Sequence, residues 1–162
     1  MNLKYSLVLS VMTILSTMGV KAQSNAEEVE MFQALYGMEK KEVAIQLVSP
    51  AEEKAEAFWK LYDEYEVERK VIGRKRVDLL NKYAAMYSEL NAENVGPLVK
   101  EAMEIRTKHD ALIARYHKKI SSQIDAVTAA QFYQLEHYFQ SEINVAIYRS
   151  IPMVGELIIL ED

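Results

Sequence analysis

The sequence predicts an all-α fold: four long helices in an elongated antiparallel bundle or curved hairpin, expected to pair as a homodimer. Three observations predict it. Glycine and proline are rare, 5 and 3 in 162 residues, and the turn dipeptides of β-hairpins are missing. Apolar residues recur at spacings of three and four over long stretches, the period of a helix face. Helix-start chemistry stands where the apolar runs begin.

The first helix is expected from about Ala26 to Leu47, with Val29, Phe32, Leu35, Tyr36, Val43 and Leu47 on its apolar face. Gly37 weakens it and invites a kink. The second starts sharply. Ser49 can cap, Pro50 suits the first helical position, and Glu52 sits where a capping box places an acid. From there Phe58, Tyr62, Tyr65, Arg69, Ile72, Arg76, Leu79, Tyr83, Met86 and Leu90 form a seam with alternating gaps of four and three. A helix of about 40 residues would be roughly 60 Å long at 1.5 Å per residue, which favours an elongated or dimeric protein.

A third helix is expected after a cap-like Asn91, with Glu93 in its first turn and Gly96-Pro97 bending or delaying its start. Leu98, Ala102, Ile105, His109, Leu112, Tyr116 and Ile120 continue the seam. Thr128, with Gln131 three residues later, reads as a second capping box opening the fourth helix. Phe132, Leu135, Phe139, Ile143 and Ala146 mark its buried stripe, and Pro152 ends it. Residues 151–162 form an apolar tail expected to fold back over the helices or to dock a partner.

The ends suggest a compartment. Met1-Asn2-Leu3-Lys4 is a short basic start, Tyr5 to Val20 is an uncharged apolar run, and Val20-Lys21-Ala22 offers a cleavage site. That order is the order of a secretory signal peptide, so residues 1–22 are expected to be removed, leaving a helical domain over 23–150 and the tail. No membrane span is expected after cleavage, because about 20 apolar residues would be needed. The chain has no cysteine, which closes disulfide stapling and thiolate metal sites.

Of 19 basic and 24 acidic residues, Lys4 and Lys21 lie in the leader, so the remainder carries 17 against 24 and a net charge of −7. That balance argues against nucleic acid as a partner, since phosphate binding needs a basic face. The charge is uneven: Glu52 to Glu68 is mostly acidic, and Arg69-Lys70 and Arg74-Lys75-Arg76 form a basic block. Arg69, Arg74 and Arg76 are therefore candidates for a partner-binding patch. Phe58, Trp59 and Tyr62 are candidates for an aromatic contact, although helix packing is the simpler reading. Arg69 and Arg76 fall in the apolar seam and need carboxylates, for which Glu136 and Glu142 are candidates.

Chemistry-bearing patterns are few. His109, His117 and His137 are scattered, with no pair at the i, i+4 spacing of helical zinc sites. No metal or cofactor is expected. No nucleophile elbow or glycine-rich phosphate loop occurs, and the expectation is a binding protein rather than an enzyme.

Val127-Thr128-Ala129-Ala130-Gln131 is similar to the LTxxQ motif of the Spy/CpxP family of periplasmic helical proteins. Val48-Ser49-Pro50-Ala51-Glu52 looks like a second copy, with Ser for Thr and Glu for Gln. The order leader, helix, motif, long helix, helix, motif, helix extends the resemblance over most of the chain. A closer likeness is to Gram-negative envelope proteins of unassigned activity, in Phe58-Trp59 through Tyr65, Tyr83 through Leu90, Ala130 through Glu136 and Ile151 to Val154. The resemblance implies a periplasmic homodimer that shelters unfolded clients without ATP or modulates an envelope-stress sensor protein. A metal-responsive sensor and a structural assembly subunit of the envelope are the alternatives it leaves.

Overall fold

The computed structural model describes residues 39–151. The leader, Gly37 and the tail beyond Ile151 lie outside the described residues. All regular structure among the described residues is helical: α1 over residues 39–47, α2 Glu52–Met86, a short 3-10 turn Tyr87–Glu89, α3 Val95–Gln123 and α4 Ala126–Ser150. No helix among them is long and apolar enough to cross a membrane.

Cross-helix pairs set the topology. Glu68 meets Arg115 and Lys82 meets Glu101, so α2 and α3 run antiparallel. Lys40 meets Glu66 and Lys41 meets Asp63, which sets α1 antiparallel to α2. At 35 and 29 residues, α2 and α3 extend about 52 and 43 Å at 1.5 Å per residue.

These long helices share two cores of unequal size. The larger joins Ala44 of α1, Val48 of the link after it, Phe58, Leu61, Tyr62 and Tyr65 of α2, Leu112, Ile113, Tyr116 and Ile120 of α3, and Phe132, Leu135 and Phe139 of α4. Tyr65 is its hub: its ring stands edge-on to Phe132 at 5.0 Å and to Tyr116 at 5.5 Å, the arrangement that aromatic quadrupoles favour. Each such buried side chain contributes about 2 kcal/mol from transfer out of water. The smaller core has only Leu79, Leu98 and Ile105, flanked by Ile72, Tyr83 and Leu90. Among the described residues it is built by α2, α3 and the link between them.

The expected seams hold in part, with Ala102 exposed and Ile72, Arg76, Tyr83, Met86 and Leu90 half-buried. On α2, Phe58, Tyr62, Tyr65, Arg69 and Leu79 are buried; on α3, Leu98, Ile105, His109, Leu112, Tyr116 and Ile120 are. Three helix boundaries differ from expectation. α2 begins at Glu52 behind Ala51, whose ψ of 144° is extended, and no side chain caps it. Pro50 therefore precedes the cap, and Ser49 donates its backbone N–H to Gln131 Oε1 at 3.1 Å instead of capping α2 with its hydroxyl. The four-residue link between α1 and α2 turns the chain sharply, and that N–H would otherwise be an orphan.

α4 begins at Ala126, two residues before Thr128. Asp125 is the cap: its Oδ1 accepts the Thr128 N–H at 2.7 Å and its Oδ2 the Thr128 hydroxyl at 2.8 Å. Asp is as good a cap as Ser or Thr, and Asp125 has the extended backbone a cap requires. Gln131 is thus released from capping and reaches the α1–α2 link. α2 ends at Met86 rather than Leu90. Asn91 accepts from the Glu93 and Asn94 N–H groups in the turn that follows, and α3 opens at Val95. Pro97 falls in the first turn of α3, where its missing N–H costs nothing.

Candidate functional site

Between the two cores lies a layer of polar side chains, and its centre is Lys40. This lysine is 1% exposed. Its Nζ donates to Glu66 Oε1 of α2 at 2.5 Å and to Glu136 Oε2 of α4 at 2.7 Å. The same Glu136 oxygen accepts the Tyr65 hydroxyl at 2.6 Å. Arg69 Nε donates to both Glu66 oxygens, at 2.9 and 3.0 Å. Glu136 Oε1 is buried with no hydrogen-bond partner among the described residues. Two cations and two carboxylates balance, which is the condition for burying any of them.

Helix geometry brings the group together. Tyr65, Glu66 and Arg69 occupy adjacent turns of one α2 face, as i, i+3 and i+4 neighbours do. Glu136 sits on α4 one turn after Phe132 and just before Phe139, both core residues. Burial alone would push the Glu66 carboxyl up, but Lys40 and Arg69 outweigh it and hold Glu66 below its usual range. Burial and the neighbouring Glu136 carboxylate push the Tyr65 hydroxyl up.

The ammonium is also surrounded by rings. Lys40 Nζ lies 5.5 Å from the Tyr62 centroid, 5.0 Å from Tyr65 and 5.5 Å from Phe139. These are cation–π distances in a desolvated setting. The arrangement is a cage with aromatic walls and two carboxylates, filled by a cation from a third helix.

His109 lies on α3 between Ile105 of the small core and Leu112 of the large one. Burial, then the cations Arg76, Lys40 and Arg69 and finally His137, lower its pKa to about 4. It is a neutral imidazole at pH 7. On the α3–α4 face the Tyr133 ring packs against His137 at 4.3 Å and His117 at 5.9 Å. Among the described residues no three His, Asp or Glu side chains gather to hold a metal ion.

The candidate partner-binding residues separate by depth. Phe58 and Tyr62 are wholly buried, and Arg69 nearly so; all three face the interior rather than a partner. Arg69 pairs with Glu66 on its own helix rather than with Glu136, which is engaged by Lys40. Trp59 is half-buried at the edge of the large core, under Lys41 at 5.7 Å. Arg74 and Arg76 are half-buried on α2. Of the motif residues, Ser49 and Gln131 touch, so the two LTxxQ-like segments meet in space; Glu52 lies in the first turn of α2.

Sequence reasoning missed Lys40. In Glu39-Lys40-Lys41-Glu42 it looks like one of a run of solvated charges. Its signal is its spacing: Lys40, Ala44 and Val48 are four apart, so Lys40 shares the buried face of α1. Compared with family models, curated proteins and solved structures, the chain has no match.

Proposed function

We propose that this chain is an exported, ATP-independent chaperone-like protein of the periplasm, binding unfolded clients or an envelope sensor protein through helix faces rather than through a catalytic site. The observation that carries the reading is a surface pattern that recurs on α2 and on α3. On α2, Val67 and Val71 are exposed and Lys75 follows one turn on. On α3, Val99 and Met103 are exposed and Arg106 follows one turn on. Each helix thus shows an apolar, apolar, cationic stripe, at gaps of four and four on α2 and four and three on α3. Unfolded polypeptides present apolar side chains and scattered carboxylates, and shallow stripes of this kind can hold them without a shaped pocket.

The family resemblance of the two LTxxQ-like segments supports the same reading, as does their contact through Ser49 and Gln131. The test is aggregation of a chemically unfolded client followed by light scattering, with the purified protein at stoichiometric amounts and no nucleotide. Suppression is expected. A Val71→Ser/Met103→Ser variant is expected to retain its helical signal and lose most of the protection. Absence of suppression by the unmodified protein refutes the chaperone reading.

A further inference from the structure

Among the described residues the walls of the Lys40 cage belong to two helices. Tyr62, Tyr65 and Glu66 come from α2, and Glu136 and Phe139 from α4. The cation comes from α1. Among the described residues α1 and the link hold on otherwise through Ala44 and Val48 in the large core, Val43 in part, the surface pair Lys41–Asp63, Lys41 over Trp59 and the Ser49 N–H on Gln131. Ile45 and Leu47 remain 57% and 55% exposed. What α1 presents to the cage and the adjoining core is a lysine, then a small apolar residue four later, then a valine four after that.

We infer that the α2–α4 cage is a receptor site for the ammonium group of a lysine carried on an apolar helix face. α1 fills it as an internal ligand, and a client helix with the same lysine, small residue, valine spacing displaces α1. This rests on the chaperone reading for the identity of the incoming chain, and on the geometry alone for the cage. Two features favour an ammonium over other cations. Its three N–H donors suit two carboxylates set at 2.5 and 2.7 Å, with the buried, unpartnered Glu136 Oε1 as a further acceptor. The three rings close the remaining directions, where a guanidinium plane would be wider than the tetrahedral ammonium. An empty cage leaves two carboxylates facing one arginine, so α1 leaves only when another cation enters.

The test uses the purified chain carrying Lys40→Ala. That change removes the Cγ, Cδ, Cε and Nζ atoms, the shape of n-propylammonium. Thermal unfolding, followed by Trp59 fluorescence, is measured against propylammonium chloride, with 1-propanol and equal ionic strength of sodium chloride as controls. The expected result is a saturable rise in Tm with propylammonium alone, absent in the unmodified protein and in Lys40→Met, whose thioether fills the cage. An equal effect of all three additives, or none, overturns the cage. If Lys40→Ala does not fold by itself, it is refolded with propylammonium; recovery supports the inference and failure to recover overturns it. A dye-labelled peptide of residues 39–50 is then titrated into Lys40→Ala by anisotropy. It should bind at least tenfold tighter than the same peptide carrying Lys40→Met, and equal binding overturns the lysine code. Neither arm contains an aggregating client, so their failure is distinguishable from failure of the chaperone assay.

Discussion

The neutral His109 makes stability depend on pH in a window where few other groups titrate. Its pKa falls from 6.5 to about 4 on folding, so between those values the unfolded chain takes up a proton that the folded chain refuses. The contribution is therefore fully present above pH 6.5 and is lost as pH falls towards 4. With one proton and these two pKa values, stability drops by about 2 kcal/mol between pH 7 and pH 5. The cause is local: the imidazole is buried on α3, facing Arg76 and Arg69 of α2, Lys40 of α1 and His137 of α4. A His109→Gln variant keeps a polar side chain and cannot titrate. Urea unfolding of both proteins at pH 7, 6 and 5 can be followed by Trp59, the single tryptophan, which packs edge-on to Phe58 and Tyr62 in the large core. The unmodified protein should lose about 2 kcal/mol more than the variant over that range. Equal losses in the two proteins would show that His109 titrates normally and that the layer is not hostile to a third cation. Glu66 does not confuse the measurement: its depressed carboxyl contributes stability that persists down to pH 4.5 and fades only below it.

Other perturbations have expected outcomes. Lys40→Met leaves Glu136 with only the Tyr65 hydroxyl and should cost about 3–5 kcal/mol in denaturant unfolding; adding Glu136→Gln should recover part of that loss, and a double variant no better than the single one would refute the pairing. Tyr65→Phe keeps the ring and removes one hydrogen bond to a buried carboxylate, for a loss of about 1–3 kcal/mol with the helical signal unchanged. Gly96→Ala should stabilise by about 0.5 kcal/mol, because a Cβ there meets nothing within 4 Å and Gly96 lies in the first turn of α3; a lower Tm would show strain not visible in the backbone.

Much of this fold is written in its periodicity. The run from Phe58 to Leu79 shows a helical spacing so regular that its buried positions follow from it, and even Arg69 lies where the seam places it. What could not be read locally is what depends on a second helix. Arg69 finds Glu66 three residues away, a partner visible in the sequence but ambiguous among the many acids between Glu52 and Glu68. Lys40 finds Glu136 across 96 positions, and no spacing rule reaches that far. Thr128 looked like a cap because its neighbours suit one; Asp125 won because its backbone is extended and its carboxylate takes both the N–H and the hydroxyl of Thr128. Gln131 then became a tie between segments rather than part of a capping box.

The unequal cores also set a gradient along α2. One end is clamped by packing from three other helices, and among the described residues the other rests on α3 through Leu79, Leu98 and Ile105. Opening events smaller than global unfolding begin where fewest contacts must break. Amide protons at 76–86 and 95–104 should therefore exchange with solvent well before those at 58–66 and 112–120, although both sets sit in the same two uninterrupted helices. The protein would then behave as a rod with a frayed tip, and the tip carries the apolar and cationic stripe of α3.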